Sequence, residues 1–239
     1  ALPAGVPNCW DVISGNPRVY SSSYSAHSGS MLLYFAGGSP NTIALPIMSQ
    51  PTGELQVRFW TRPENFTSAS CGTFEVGYMA DITDDSTFVV VASWEYSDFT
   101  GYEEVEVPMI GAPANARIVM RQTNNATYYY WYVDDLVVEP IPECARPVSV
   151  NVTNVSSTEA DLAIVGVDGA SYRVWWTDGT TTDSIDISTL SHTLTGLTSN
   201  TSYTVNVATV CDDGSVTAPR SPTLHTLAGE AISLFPYTC

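Results

Sequence analysis

The sequence predicts an all-β chain folded as two antiparallel sandwiches, and three features carry that reading. Apolar and polar residues alternate with period two over short stretches, while helical periodicity is nowhere sustained. Glycine (16) and proline (15) are spread along the 239 residues, as many short strands joined by tight turns require. A proline-flanked hinge, Glu139-Pro-Ile-Pro-Glu-Cys-Ala-Arg-Pro147, divides the chain. Proline lacks a ladder donor and biases its predecessor toward extended backbone, so the segment reads as a short, stiff linker.

In the first half, Leu55-Gln-Val-Arg-Phe59 sends its apolar residues one way and Gln56 and Arg58 the other. Glu104-Val-Glu-Val107 does the same, and Met31-Leu-Leu-Tyr-Phe35 less strictly. Candidate strands cover residues 17–21, 30–36, 41–46, 54–62, 72–80, 87–96, 102–108, 115–123 and 128–139, a density that argues for a sandwich. In the second half, Val148, Val150 and Val152 alternate with polar residues, as do Ala160, Leu162 and Ile164. Tyr172, Val174 and Trp176 follow the same pattern, then Tyr203, Val205 and Val207, and Asp178-Gly179 and Asp213-Gly214 are hairpin signals.

Composition excludes several function classes. Hydrophobic residues make up 44% and charged residues 14%, enough apolar surface for two cores and too little charge for a disordered chain. The formal charge is −17; lysine is absent, and all 8 basic residues are arginine. Such a chain repels a phosphate backbone, whose proteins bind through basic residues that release counterions, and it disfavours anionic membrane surfaces. Cations, neutral glycans and basic proteins remain as partners, beside the plain reading that acid keeps a surface soluble. No apolar run approaches the length needed to cross a bilayer and no signal peptide begins at Ala1, so any export signal or anchor is expected outside these residues. Five sequons, at Asn65, Asn125, Asn151, Asn154 and Asn200, would suit a secreted protein but carry little weight in a chain so rich in Ser, Thr and Asn.

Leu194-Thr-Gly-Leu197-Thr-Ser-Asn-Thr-Ser-Tyr203-Thr-Val205-Asn-Val207 resembles the signature of fibronectin type III modules, over about residues 144 to 227. That resemblance implies a seven-stranded sandwich in which the tyrosine makes a corner bond and the leucines fill the core. Ile164 stands where the family often has tryptophan, with Trp175 and Trp176 nearby in sequence. In the first half, Pro7-Asn-Cys-Trp10, Ala26-His-Ser-Gly-Ser30, Leu55-Gln-Val-Arg-Phe-Trp60, Gly72-Thr-Phe-Glu-Val-Gly77, Asp84-Asp-Ser-Thr-Phe88 and Tyr132-Val-Asp-Asp-Leu136 occur in order. Together they resemble the MAM-like or cleaved-adhesin-like jelly rolls of large bacterial surface proteins, where such units alternate with fibronectin type III modules. The expected organisation is therefore a jelly-roll-like domain at 1–140 and a fibronectin type III domain at 141–227. The tail 228–239, Ala228 to Cys239, resembles the start of a following unit, as in a segment of a longer array. The resemblance implies a secreted or cell-surface bacterial protein that binds an extracellular glycan or a host or matrix protein.

The chemistry points the same way. Only His27, His192 and His225 could serve as imidazole bases, and no G-x-S-x-G elbow accompanies them, so no catalytic residue is assigned and no enzyme is expected. His27 reads as a structural turn residue. Glu103 and Glu104, adjacent on a strand, face opposite ways and make a poor catalytic pair, and Asp84-Asp85 falls in a polar turn. Asp134 and Asp135 interrupt an otherwise apolar strand. They read either as solvated or capping carboxylates of an edge strand or as ligands of a structural Ca²⁺, which takes several hard oxygens. In the jelly rolls this half resembles, that aspartate motif helps bind calcium; the glutamate that usually completes the site has no counterpart in this sequence. Tyr128-Tyr-Tyr-Trp-Tyr132 is the most unusual local composition. Tyr128, Tyr130, Trp131 and Tyr132 are candidate ligand contacts, suited to stacking on sugars or meeting a protein, and burial is the competing reading. Trp94, Tyr96 and Phe99 form a second group with the same two readings.

The cysteines, Cys9, Cys71, Cys144, Cys211 and Cys239, show no C-x-x-C pair and no neighbouring histidine, which argues against zinc. Resemblance to bacterial fibronectin-like modules implies a Cys144–Cys211 bridge. Cys9 with Cys71, both within the first domain, is the next expectation, and Cys9 with Cys239 is its rival. Three functions compete: an adhesion or ligand-binding segment, a structural spacer, and an accessory module of a larger secreted protease or glycosidase.

Overall fold

The structure, a computed structural model, describes residues 7–65, 72–123 and 129–229. It is all-β, and three single-turn 3-10 segments are the only helical elements among the described residues. The chain divides into two compact units, Ala1–Pro142 and Glu143–Cys239.

The first unit is a jelly-roll-like sandwich of ten strands. They are β1 (Asp11–Ser14), β2 (Arg18–Ser21), β3 (Met31–Phe35), β4 (Asn41–Ala44), β5 (Leu55–Asn65), β6 (Phe74–Met79), β7 (Phe88–Trp94), β8 (Glu103–Pro108), β9 (Arg117–Gln122) and β10 (Tyr129–Pro140). Two five-stranded antiparallel sheets form, in the orders β1-β4-β9-β6-β7 and β2-β3-β10-β5-β8. The chain crosses between the sheets repeatedly, so each inner face is assembled from segments distant in sequence. Nine of these strands fall on the stretches read from alternation; β1 does not, because its four residues are mostly exposed and carry no apolar face.

Between the sheets, Phe35, Ile43, Val57, Phe59, Phe74, Val76, Val107, Met120, Tyr129 and Trp131 are buried. Trp131 stacks on Phe74 with centroids 4.9 Å apart and meets Phe99 edge-on at 5.4 Å. A buried amide knot ties two loops to strands β4 and β9 of this frame. Asn41 Nδ2 donates to the Ala36 and Ser39 carbonyls and to Gln122 Oε1, while Asn41 Oδ1 accepts from the Asn16 backbone N–H. Gly77 faces a register shift opposite β7, where a Cβ would collide with the Val89 carbonyl, so only glycine fits.

The second unit contains β11 (Ser149–Thr153), β12 (Glu159–Val165), β13 (Ser171–Thr177), β14 (Thr182–Ile187), β15 (Ser191–Thr195), β16 (Ser202–Val210) and β17 (Thr223–His225). They form a three-stranded sheet, β11-β12-β15, and a four-stranded sheet, β14-β13-β16-β17, the three-plus-four sandwich of a fibronectin type III fold. Ile164, Tyr172, Val174, Leu194, Leu197, Val205 and Val207 fill its core. Ile164 is buried there, and Trp176, half-buried on the facing sheet, packs against the same cluster. The Tyr203 hydroxyl accepts the Thr198 backbone N–H at 2.9 Å, closing the corner expected from the signature. Cys144 and Cys211 form a disulfide across 67 residues, tying the start of this unit to the end of β16.

Candidate ligand-binding face

The aromatic run does not present all its rings to solvent. Strand alternation turns Tyr129 and Trp131 into the core, where both are fully buried. Tyr132 points outward yet is only 5% exposed, because its hydroxyl donates to Glu64 Oε2 and the Arg62 guanidinium lies 4.7 Å above its ring. Trp131 and Tyr132 are therefore structural, which corrects their place among the candidate ligand contacts in favour of the competing reading, burial. Tyr130 alone is half-buried on the outer face, and Tyr128 lies outside the described residues.

Cross-strand pairing extends that outer face. Tyr132 sits opposite Tyr34, and Tyr34 opposite Arg18 on the edge strand. The Tyr34 ring lies 5.4 Å from Tyr130, 5.8 Å from Tyr132 and 5.2 Å from Tyr20, making one continuous row over β2, β3 and β10. Burial, reinforced by Tyr130, pushes the Tyr34 hydroxyl up to about 12, so it stays a neutral donor at physiological pH. Tyr20 is 42% exposed at the open end, and Tyr24, in the loop that follows β2, is 97% exposed. Sequence reasoning missed Tyr20, Tyr24 and Tyr34 because none lies in a dense aromatic run, and only strand pairing brings Tyr20 and Tyr130 to either side of Tyr34.

The Ser22–Ser30 loop, which carries Tyr24, folds back onto β10, and the Asp pair holds it there. β10 is the central strand of its sheet, not an edge. Its pairing with β5 shifts register between Asp134 and Val137, and Asp135 adopts a left-handed φ of 49° at the bulge. Asp134 Oδ2 accepts the backbone N–H groups of His27 and Ser28 at 2.8 and 3.1 Å, and its Oδ1 accepts the Asp135 N–H. Asp135 takes the Ser28 hydroxyl at 2.6 Å on one oxygen and His27 Nδ1 at 2.8 Å on the other. These bonds, the hydroxyl first, hold the Asp135 carboxyl below its usual range. Three of the four carboxylate oxygens thus serve the loop and the fourth, Asp134 Oδ1, caps the bulge itself; among the described residues no group of three or more His, Cys, Asp or Glu could hold a metal ion. In this geometry Asp134 and Asp135 cap and clasp the loop, the capping reading of the two that the sequence left open for the pair.

His27 completes the clasp as a turn residue, its ring stacked on Trp60 at 4.0 Å. The Tyr102 hydroxyl donates to the Ser25 carbonyl at 2.5 Å, and burial pushes that phenol up to about 12. Trp94 and Phe99 pack with the sandwich core, while the Tyr96 side chain lies outside the described ones. Glu104 pairs with Arg58 at 2.7 Å, and Asp84 caps its own turn by accepting the Ser86 N–H and hydroxyl.

In the second unit Ser202 Oγ meets His225 Nδ1 at 2.8 Å on the outer face of β16 and β17. The other ring nitrogen faces an amide oxygen, Asn200 Oδ1, at 3.4 Å instead of the carboxylate that orients a catalytic imidazole. Cys9 is exposed and unbridged, and its two expected partners, Cys71 and Cys239, lie outside the described residues.

No family model matches the chain, and no curated protein does. The solved structures it resembles include fibronectin type III domains at low identity and over part of the chain. One is from human collagen XX, 22% identical over 37% of this chain and 98% of that one, with a TM-score of 0.32. The FN5 domain of Drosophila Lar is 22% identical over 35% of this chain and 96% of that one, with a TM-score of 0.31. The fn3 domain of human contactin 1 is 17% identical over 41% and 91%, with a TM-score of 0.34.

Proposed function

We propose that this chain is a non-catalytic, extracellular binding segment of a bacterial surface protein, and that the tyrosine row of its first unit contacts a glycan. The observation that carries the reading is the Tyr20–Tyr34–Tyr130 row, open at Tyr20 and flanked by the exposed Tyr24. Flat apolar rings with polar tips match the two-sided character of a sugar, whose C–H face stacks and whose hydroxyls hydrogen-bond. The disulfide suits an oxidising compartment, and no helix among the described residues is long and apolar enough to cross a membrane. Adhesin character rests on the six ordered motifs of the first unit, several of which occupy working positions. Ala26-His-Ser-Gly-Ser30 supplies the clasped loop, and Tyr132-Val-Asp-Asp-Leu136 supplies the bulge that holds it. The second unit, with its aromatic residues mostly committed to its own core, serves as a spacer within the same reading.

A glycan array with the full chain tests the proposal. Saturable binding that falls at least tenfold in Tyr20→Ala and Tyr34→Ala is the expected result. Silence across the array, or binding indifferent to both substitutions, would leave only the spacer.

A further inference from the structure

The middle of the tyrosine row carries a charge that narrows its ligand, an inference that rests on the glycan reading above. Arg18 lies over the Tyr34 ring with its guanidinium carbon 4.8 Å from the centroid. Its one side-chain hydrogen bond to the described protein runs from Nη1 to the Asn16 carbonyl at 3.3 Å. A guanidinium has five N–H donors in a planar fork, so most of this fork has no hydrogen-bond partner among the described residues.

Arg58, Arg62, Arg117, Arg121 and Arg173 each stand against a carboxylate. Arg146 and Arg220 donate to the Pro219 and Pro147 carbonyls. Arg18 makes no ion pair among the described residues, in a chain whose 25 acids outnumber its 8 bases. A cation left without a carboxylate amid such a surplus, stacked at the centre of an aromatic platform, is placed to receive a carboxylate from outside. The planar fork of a guanidinium favours two parallel hydrogen bonds to one carboxylate.

We infer that this face selects a glycan bearing a single carboxylated sugar, a hexuronate, within an otherwise uncharged oligosaccharide. The hexuronate carboxylate takes the Arg18 fork while neighbouring sugar rings lie against Tyr20 and Tyr130. A densely charged polyanion is disfavoured, because the net charge of −17 repels it and only one cation in the row awaits a partner.

The test is a matched pair of probes titrated against the full chain by calorimetry. One is an oligosaccharide ending in glucuronic acid; the other is the same oligosaccharide with that carboxyl reduced, leaving glucose. A charge-assisted hydrogen bond contributes enough to separate the two by roughly tenfold or more. The expected result is that preference in the wild type, a ratio near one in Arg18→Gln, and an intermediate ratio in Arg18→Lys, which keeps the charge and loses the fork. A melting temperature for each variant equal to the wild type's shows that the fold is intact. Equal binding of both probes by the wild type, or a preference that survives Arg18→Gln, overturns the selectivity and leaves the glycan reading standing. Binding of neither probe, with the array also silent, overturns both. Binding of a peptide carboxylate at this face in place of either sugar overturns the hexuronate in favour of a protein ligand.

Discussion

Removing the Cys144–Cys211 bridge, by the double substitution Cys144→Ser and Cys211→Ser, tests how much of the second unit's stability is topological. The two cysteines are separated by 67 residues. In the chain-entropy model, a closed loop of that length removes about 15 cal/mol/K from the unfolded ensemble, or about 4 kcal/mol at 25 °C. Domains of this size are stabilised by roughly 5–15 kcal/mol in total, so the bridge is a large share. Urea unfolding of the full chain, followed by tryptophan fluorescence, should resolve a transition for the unit holding Trp175 and Trp176. With a slope of roughly 2 kcal/mol/M, the loss moves that midpoint down by about 2 M and leaves the first unit's transition in place. A midpoint that moves by less than about 0.5 M would refute the reasoning, as would alkylation of Cys144 in the unreduced protein.

Three further outcomes follow from the geometry. Tyr203→Phe leaves the Thr198 N–H without its acceptor and should cost the second unit about 1–2 kcal/mol in the same urea experiment; a change below about 0.3 kcal/mol would mean the corner bond is idle. Asp134→Ala strips the acceptor from the His27 and Ser28 N–H groups, and hydrogen exchange at those two amides should accelerate at least tenfold while core amides of β5 stay protected. Asp135 has a depressed folded pKa, so its contribution is present above the unfolded value near 3.9 and is lost as pH falls through the lower folded value. Thermal melts from pH 6 down to pH 2 should therefore show a steeper acid decline in the wild type than in Asp135→Asn, and parallel curves would sink the clasp.

Much of the architecture was legible in the chain because strand burial has period two and the sequence obeys it. Leu55 to Phe59 and Tyr203 to Val207 alternate so strictly that a single inward face was the only economical reading, and both strands bury those residues. The Leu194-to-Val207 signature carries its corner bond within ten residues, so a local pattern was enough to anticipate a local contact. Strand β1 escaped notice for the converse reason: it is held by backbone pairing to β4 and buries little.

The candidate site was legible only in part, since its members meet through pairing between strands distant in sequence. The aromatic density of Tyr128–Tyr132 drew attention to β10, yet composition cannot say which rings a neighbouring strand will cover. Trp131 fell inward by alternation, and Tyr132 was covered by Arg62 and Glu64 of β5. Likewise an Asp-Asp pair in an apolar strand has the same letters whether it ligates a cation or caps a loop. The choice was made by the His27 and Ser28 N–H groups, 107 and 106 positions away from Asp134, which reach its carboxylate through the fold. The sequence by itself determined the class of fold, the division of the chain and the Tyr203 corner, because these depend on periodicity and short-range pattern. Only the tertiary structure decided which tyrosines form a surface, that Arg18 lies among them without an acid, and that the aspartates are occupied, because those facts depend on strand order and register.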